Sequence, residues 1–389
     1  MKFSSSSILS TMALAISASQ LLTPVSALSS SGENICGWTI TEDKKMTADS
    51  VCQCDRDEPA VTLRGGATLD MDGYKIRCLG SEKAEACIYV SGTGATVKDG
   101  TVDNCEIGIH SAGGGEHTVL GMKVTNAMVG ILVRDDSDDV VLSGNKVDSP
   151  DKHGIVIEGD NVLVSDNEVD SAISVGIYIE VEADDAVVRG NAVLNSGEDG
   201  IYVDGDTTLV ESNAISDSGM NGIQVDNGSE DAQLVRNTIK SSGAAGVYAN
   251  EDNILIEENE ITGASHLSAI VASGDDVMII GNKVKDFQDD GIVLSGSNGF
   301  IEANNVISLV RFADGIVVGT YGDSTISLVA NMIAGNTVVA EDAIVMKSEG
   351  DNTITNNHIT GDTLDYACGN NNWEDDNTYV NGRHSVACA

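Results

Sequence analysis

Basic side chains are scarce in this chain of 389 residues: 21 Lys and Arg stand against 61 Asp and Glu, a formal net charge of −40. Such a surplus repels phosphate backbones and anionic lipid, so nucleic-acid and membrane-surface partners are excluded from the expected function. Proline is nearly missing, with three residues against 42 glycines, and no long block of like charge occurs. A disordered chain is therefore not expected, and the glycines lack the every-third-residue period of collagen. Aromatic residues make up only 4%. Beyond the N-terminal segment no apolar run approaches the roughly 20 residues that a membrane-spanning helix needs. Cysteine is absent between Cys105 and Cys368.

What is present begins with an address. Residues 1–27 carry Lys2, a serine-diluted apolar stretch from Ile8 to Leu22, and Val25-Ser26-Ala27 with small residues suited to signal-peptidase cleavage. The mature protein is expected to be exported, soluble and extracellular or bound to a cell wall. All eight cysteines, Cys36, Cys52, Cys54, Cys78, Cys87, Cys105, Cys368 and Cys388, lie beyond this segment. An even count in an oxidising compartment implies disulfides, whose connectivity spacing does not settle. A zinc site on Cys52-Gln53-Cys54 is disfavoured, because the spacing is too tight and no histidine cluster follows.

The central stretch repeats. A Gly-Ile-x-Val phrase recurs at Gly108, Gly130, Gly154, Gly176, Gly200, Gly222, Gly246, Gly291 and Gly315, with degenerate copies at Ala269 and Ala343. A second phrase, apolar-x-x-Asn-x-(Val or Ile), keeps phase with it at Asn145, Asn167, Asn191, Asn213, Asn237, Asn259, Asn282, Asn304, Asn331 and Asn357. Within each period β-branched residues alternate with polar or small ones, as in Gly154-Ile155-Val156-Ile157, and no three-to-four spacing is sustained. Period two means strand. Each period holds three short strands and three turns, and each strand can pair only with its counterpart one repeat later. The expected result is a parallel β-solenoid of about 12 or 13 coils, a rod roughly 60 Å long. The asparagine is expected to take the left-handed bend itself and to donate its amide to the next coil in a ladder. Residues 28–59 read as a cysteine-rich N-terminal cap, 60–360 as repeats, and 361–389, with Trp373 and the Cys368/Cys388 pair, as a C-terminal cap over the open strand edge.

These phrases resemble the repeats of the right-handed parallel β-helix proteins of the pectate-lyase-like superfamily. The resemblance covers residues 60–360 and implies an all-β right-handed helix. That superfamily holds polysaccharide lyases, polygalacturonases, alginate epimerases and non-catalytic surface proteins, so activity has to come from a site. Members commonly bind sugar chains along the face that carries the Gly-Ile-x-Val strands.

On that face the x residues and the residue after Val point outward. Tyr178, Tyr202 and Tyr248, with Gln224, fall beside Glu180, Asp204 and Asp226, a pattern of aromatic faces and carboxylates suited to binding a saccharide. Glu158, Glu180, Asp204 and Asp226 form an acidic column that needs water or a cation to persist, and calcium is the hard cation it would take. A second acidic row, Asp138-Asp139, Asp184-Asp185, Glu230-Asp231, Asp252 and Asp275-Asp276, is better explained by the turn preference of aspartate. For a uronate lyase or C5-epimerase, Arg134, Lys152, His153 and Tyr178 are the candidates for charge neutralisation and proton transfer. Asp151-Lys152-His153 resembles the Asp-Pro-His-Glu/Asp motif of alginate epimerases, with the proline displaced and an extra lysine. The ordered polygalacturonase set is absent, and Glu180 with Asp204 is the spacing a retaining glycosidase would use. Asn227-Gly228-Ser229 is a glycosylation sequon, and a glycan on Asn227 would crowd the same face. The expected function is engagement of extracellular polysaccharide by a monomer. The alternative is a non-catalytic wall, matrix or adhesive protein.

Overall fold

The computed structural model describes residues 33–54, 56–79, 83–226, 228–319, 328–347, 350–366 and 371–386. The expected signal segment, Asn227, Cys368 and Cys388 lie outside the described residues. Within them every regular element is a strand, and every strand pairing is parallel. One coil illustrates all. His153–Ile157 forms the first face, Leu163–Ser165 the second and Glu168–Asp170 the third. Each pairs in register with its counterpart one coil later, as Ile155 does with Ile177, Leu163 with Val187 and Glu168 with Ala192. The second face is a sheet of 15 strands. The winding reaches into both terminal segments, where Lys44–Lys45 pairs with Thr68–Asp70 and Thr353–Thr355 with Asn372–Trp373.

The alternation decides what fills the interior. Ile155, Ile157, Val164 and Val169 of one coil are fully buried, and each stacks on the β-branched residue above it. Burial of one such side chain contributes about 2 kcal/mol, so the core is many small equal increments rather than a few large ones. Phe287 is the largest side chain that is fully buried. The glycine of the repeat phrase is explained by space. A Cβ on Gly154 would stand 2.3 Å from Val169 Cγ1 and 2.4 Å from the Gly176 carbonyl oxygen. The first-face strand thus begins directly over the third-face aliphatic of its own coil.

The asparagine ladder forms, with two corrections. Asn145, Asn167, Asn191, Asn213, Asn237, Asn259, Asn282 and Asn304 each donate Nδ2 to the Oδ1 of the next at 2.9–3.0 Å. The file then passes to Asn336, Asn357 and Asn377, not to Asn331. Asn331 sits five residues earlier, where its Oδ1 accepts the Gly299 N–H, because the coil after Asn304 is longer and shifts the phase of the sequence pattern. The left-handed residue is the one before each asparagine: Asp166, Ser212, Arg236, Glu258 and Ala303 all have φ between 53° and 56°. The asparagine itself turns inward, with its amide also donating to a carbonyl of the preceding coil, as Asn213 does to Val188.

The cysteines near the N-terminus staple the first coils through Cys36–Cys52, Cys54–Cys78 and Cys87–Cys105. Cys52 and Cys54 therefore belong to different disulfides. The turn aspartates form a ladder of their own: Asp138 Oδ1 accepts the N–H of Asp160 at 3.1 Å, Asp160 that of Asp184 at 3.0 Å, and Asp184 that of Asp206 at 3.2 Å. Asp139, Asp185, Asp231 and Asp276 hold positive φ beside them. Turn geometry accounts for this second acidic row.

Candidate functional site

Parallel register carries the x residues of the first face into one outward file. His110, Leu132, Val156, Tyr178, Tyr202, Gln224, Tyr248, Val271, Val293, Val317 and Val345 succeed one another coil by coil. The file is not uniformly wet. Leu132 and Val156 are buried with Val129 in a small cluster outside the core that half-buried Tyr178 joins, and Val293, Val317 and Val345 form another against Leu364. Between them lies the polar stretch from Tyr178 to Tyr248. The rings of Tyr178 and Tyr202 meet edge to face at 5.2 Å, and His153 lies 5.7 Å from Tyr178.

Donors reach three members of the acidic column next to this file, Glu158, Asp204 and Asp226. Arg134 Nε lies 3.1 Å from Glu158 Oε2, Tyr178 donates its hydroxyl to Asp204 Oδ2 at 3.0 Å, and Gln224 Nε2 donates to Asp226 Oδ2 at 3.3 Å. Asn250 Nδ2 adds a second bond to Asp226 at 3.3 Å. Burial raises the carboxyls of Glu158 and Glu180 above the usual range. At Glu158 the Arg134 charge opposes the rise, while at Glu180 the Asp204 charge adds to it. Burial and the Asp204 bond likewise push the Tyr178 phenol up, so it stays a proton donor. Among the described residues no three carboxylates bring ligand oxygens together; the one close trio is Cys78, Cys87 and Cys105, whose sulfurs are spent on disulfides. Glu158, Asp204 and Asp226 are thus held by neighbouring donors, and the column offers no ready trio of ligand oxygens for calcium.

His153 is 8% exposed, and its Nδ1 has no partner. Burial, then the Lys152 charge, lowers its pKa to about 4, so the imidazole is neutral at neutral pH and a weaker base than a free histidine. Lys152 is exposed and within electrostatic reach of both His153 and Glu180. His153, Lys152, Tyr178 and Glu180 thus share one neighbourhood. Arg134 joins it only through Glu180: it pairs with Glu158 and its charge reaches Glu180 one coil on, but His153 opens its five-residue strand about 16 Å away along the chain direction. Asp151 is held by Lys83 at 2.8 Å.

Two features escaped the sequence pattern. Past Tyr248 the face sinks into an open depression of about 370 Å³, floored by Tyr248, Val271 and Val293 and edged by Ser273, Ser295 and Asp289. Beside it, the position before the repeat glycine carries Asp290, Asp314 and Asp342 on successive coils. Asp290 Oδ1 accepts the Asp314 N–H at 3.2 Å, while its Oδ2 is buried without a hydrogen-bond partner. Burial, then the Asp314 charge, pushes Asp290 up to about 7; burial and Asp342 push Asp314 to about 6. The signal was the recurring Asp-Gly-Ile of residues 290–292 and 314–316, which alternation alone assigned to neither face.

The model of the right handed beta helix region matches residues 86–239, 175–305 and 221–383. No curated protein matches the chain by sequence. Among solved structures, the A-module of the mannuronan C-5 epimerase AlgE4 from Azotobacter vinelandii aligns with a TM-score of 0.52 at 13% identity, covering 85% of this chain and 91% of that one. The corresponding AlgE6 module from the same organism gives 0.50 at 14% identity over the same shares. A tailspike protein mutant of E. coli bacteriophage HK620 in complex with pentasaccharide gives 0.53 at 10% identity, over 88% of this chain and 72% of that one. At such identities the likeness is one of fold.

Proposed function

This chain belongs to the right-handed β-helix family, and we propose that it is a secreted protein that engages extracellular polysaccharide along the outward file of its first face. One observation carries the reading: half-buried Tyr178, Tyr202, Gln224 and Tyr248 follow one another in strict register and open into a depression at the Tyr248 end. Rings and amides spaced about 4.8 Å apart suit a chain of sugar units lying along the rod. Glu180, Asp204 and Asp226 line the same strip. The solved neighbours include proteins named as mannuronan C-5 epimerases and a tailspike in complex with a pentasaccharide, which fits this reading.

The finer reading is a uronate-chain lyase or C5-epimerase. In it neutral His153 takes the proton beside the uronate carboxylate, Tyr178 supplies one, and Lys152, with Arg134 farther along, offsets the carboxylate charge. If calcium assists, Glu158, Glu180, Asp204 and Asp226 would be the residues to hold it, and it would supply positive charge to offset the substrate carboxylate. The test is incubation with alginate, pectate and neutral glycans, with and without calcium. Unsaturated ends or a changed epimer ratio, lost in His153→Ala and in Tyr178→Phe, would support catalysis. The non-catalytic display reading is favoured by the Arg134–Glu158 pair, which already spends the nearest guanidinium. Unaltered glycans that nonetheless bind would leave display standing.

A further inference from the structure

The depression past Tyr248 differs in chemistry from the strip that leads to it. The strip has Lys152 at hand, and Arg134 beyond it, to meet a carboxylate. The depression has neither: among the described residues none of its lining side chains is cationic. Its floor is apolar, one tyrosine ring and two valines, and hydroxyls of Ser273 and Ser295 edge it. Leu267, 40% exposed, extends the apolar surface at the rim. Asp289 is the lone charge on the lining and raises both Asp290 and Asp314, while Lys347, off the lining, opposes the rise at both. A carboxylate-bearing sugar entering here would meet a negative field in a partly desolvated place, with no guanidinium or ammonium on the lining to offset it. A neutral sugar ring meets what it needs: an apolar face to lie on, hydroxyls to exchange hydrogen bonds with, and one carboxylate acceptor.

We infer that the depression floored by Tyr248, Val271 and Val293 is a subsite for a neutral hexosyl unit, and that it selects against uronate at that position. This rests on the polysaccharide reading and narrows it. The ligand is then a neutral glycan, or a mixed one whose charged units fall nearer His153.

Calorimetric titration of the full chain with laminari-, cello- and mannopentaose, and with oligogalacturonate and oligomannuronate of the same length, tests it. At least one neutral oligosaccharide should bind, and the uronates should bind about tenfold or more weaker at this subsite. Leu267→Ser and Val271→Asp should each weaken neutral binding by about tenfold, and Asp289→Asn should narrow the gap between the two ligand classes. Leu267 is a rim residue whose replacement leaves the coil core intact, so it keeps the test valid if Val271→Asp misfolds by circular dichroism. Uronates that bind as tightly as neutral glycans and lose that binding in Leu267→Ser and Val271→Asp, or neutral glycans whose binding is lost in Tyr178→Ala but unchanged in Leu267→Ser and Val271→Asp, would overturn the inference and leave polysaccharide engagement standing. Binding of no glycan in either class would sink both.

Discussion

The first coils and the last coils share one plan and are held by different chemistry. Before residue 110 three disulfides tie neighbouring turns of chain, and pairs such as Lys75 and Arg77 with Asp103 and Lys98 with Asp70 add charge contacts. His110 and His117 are buried there, with His153 farther along, and burial lowers the pKa of all three, to about 4 at His110 and His153. From residue 290 onward the described coils contain no disulfide. They carry instead a file of carboxyls, Asp290 buried and Asp314 and Asp342 half-buried, each raised. One end is fastened; the other stores repulsion next to a depression. Among the described residues, stacking holds the coils past residue 110 without a covalent tie and tolerates an unfavourable file near the other end.

The two tryptophans make the contrast measurable, since Trp38 lies in the first coil and Trp373, whose indole donates to Asp365 at 3.0 Å, in the last. The largest effect should come from Cys87→Ala/Cys105→Ala. Opening that loop removes about 3 kcal/mol, so urea should shift the Trp38 transition well down and leave that of Trp373 nearly in place. Coincident shifts would mean that the coils unfold as one unit, and the comparison would fail. Next in size is Asn304→Ala, which deprives the Asn282 amide and N–H of their acceptor and should cost about 2 kcal/mol, felt first at Trp373.

The most discriminating test is pH. Histidines whose folded pKa lies near 4, below the unfolded 6.5, contribute stability that is present above pH 6.5 and lost as pH falls toward 4. Asp290 and Asp314, with folded values of about 7 and 6 against 3.8 unfolded, act oppositely: the folded state holds the extra protons, so stability falls as pH rises from about 4 to 7. Acidification from pH 7.5 to 5 should therefore lower the Trp38 midpoint and raise that of Trp373. Asp290→Asn should flatten only the second response.

Much of this was legible beforehand for a simple reason: in a parallel stack, one-dimensional spacing becomes lateral position. Tyr178, Tyr202, Gln224 and Tyr248 line up because 22 to 24 residues return the chain to the same place. The illegible parts are those where neighbours across coils decide. The sequence marks Cys52 and Cys54 as a pair, yet their partners are Cys36 and Cys78. Val293 and Val317 occupy outward positions by alternation, yet are buried against each other. Asn331 fits the phrase, but a longer coil hands its place to Asn336. Asp290 belongs to no strand phase, so nothing in the alternation foretold that one of its oxygens would be sealed off.

The asparagine file has a direction. Each file amide from Asn145 to Asn357 gives one N–H to the next asparagine toward the C-terminal end and the other to a carbonyl one coil back, and the file is tied off where Met122 donates its backbone N–H to Asn145 and where Asn377 donates to the carbonyls of Ile354 and Glu374. Dipoles aligned head to tail polarise one another. The molecule is therefore electrically polar along its length in a way its net charge does not reveal, and a break at mid-file weakens the bonds on both sides of the gap, whereas loss of a terminal member weakens one.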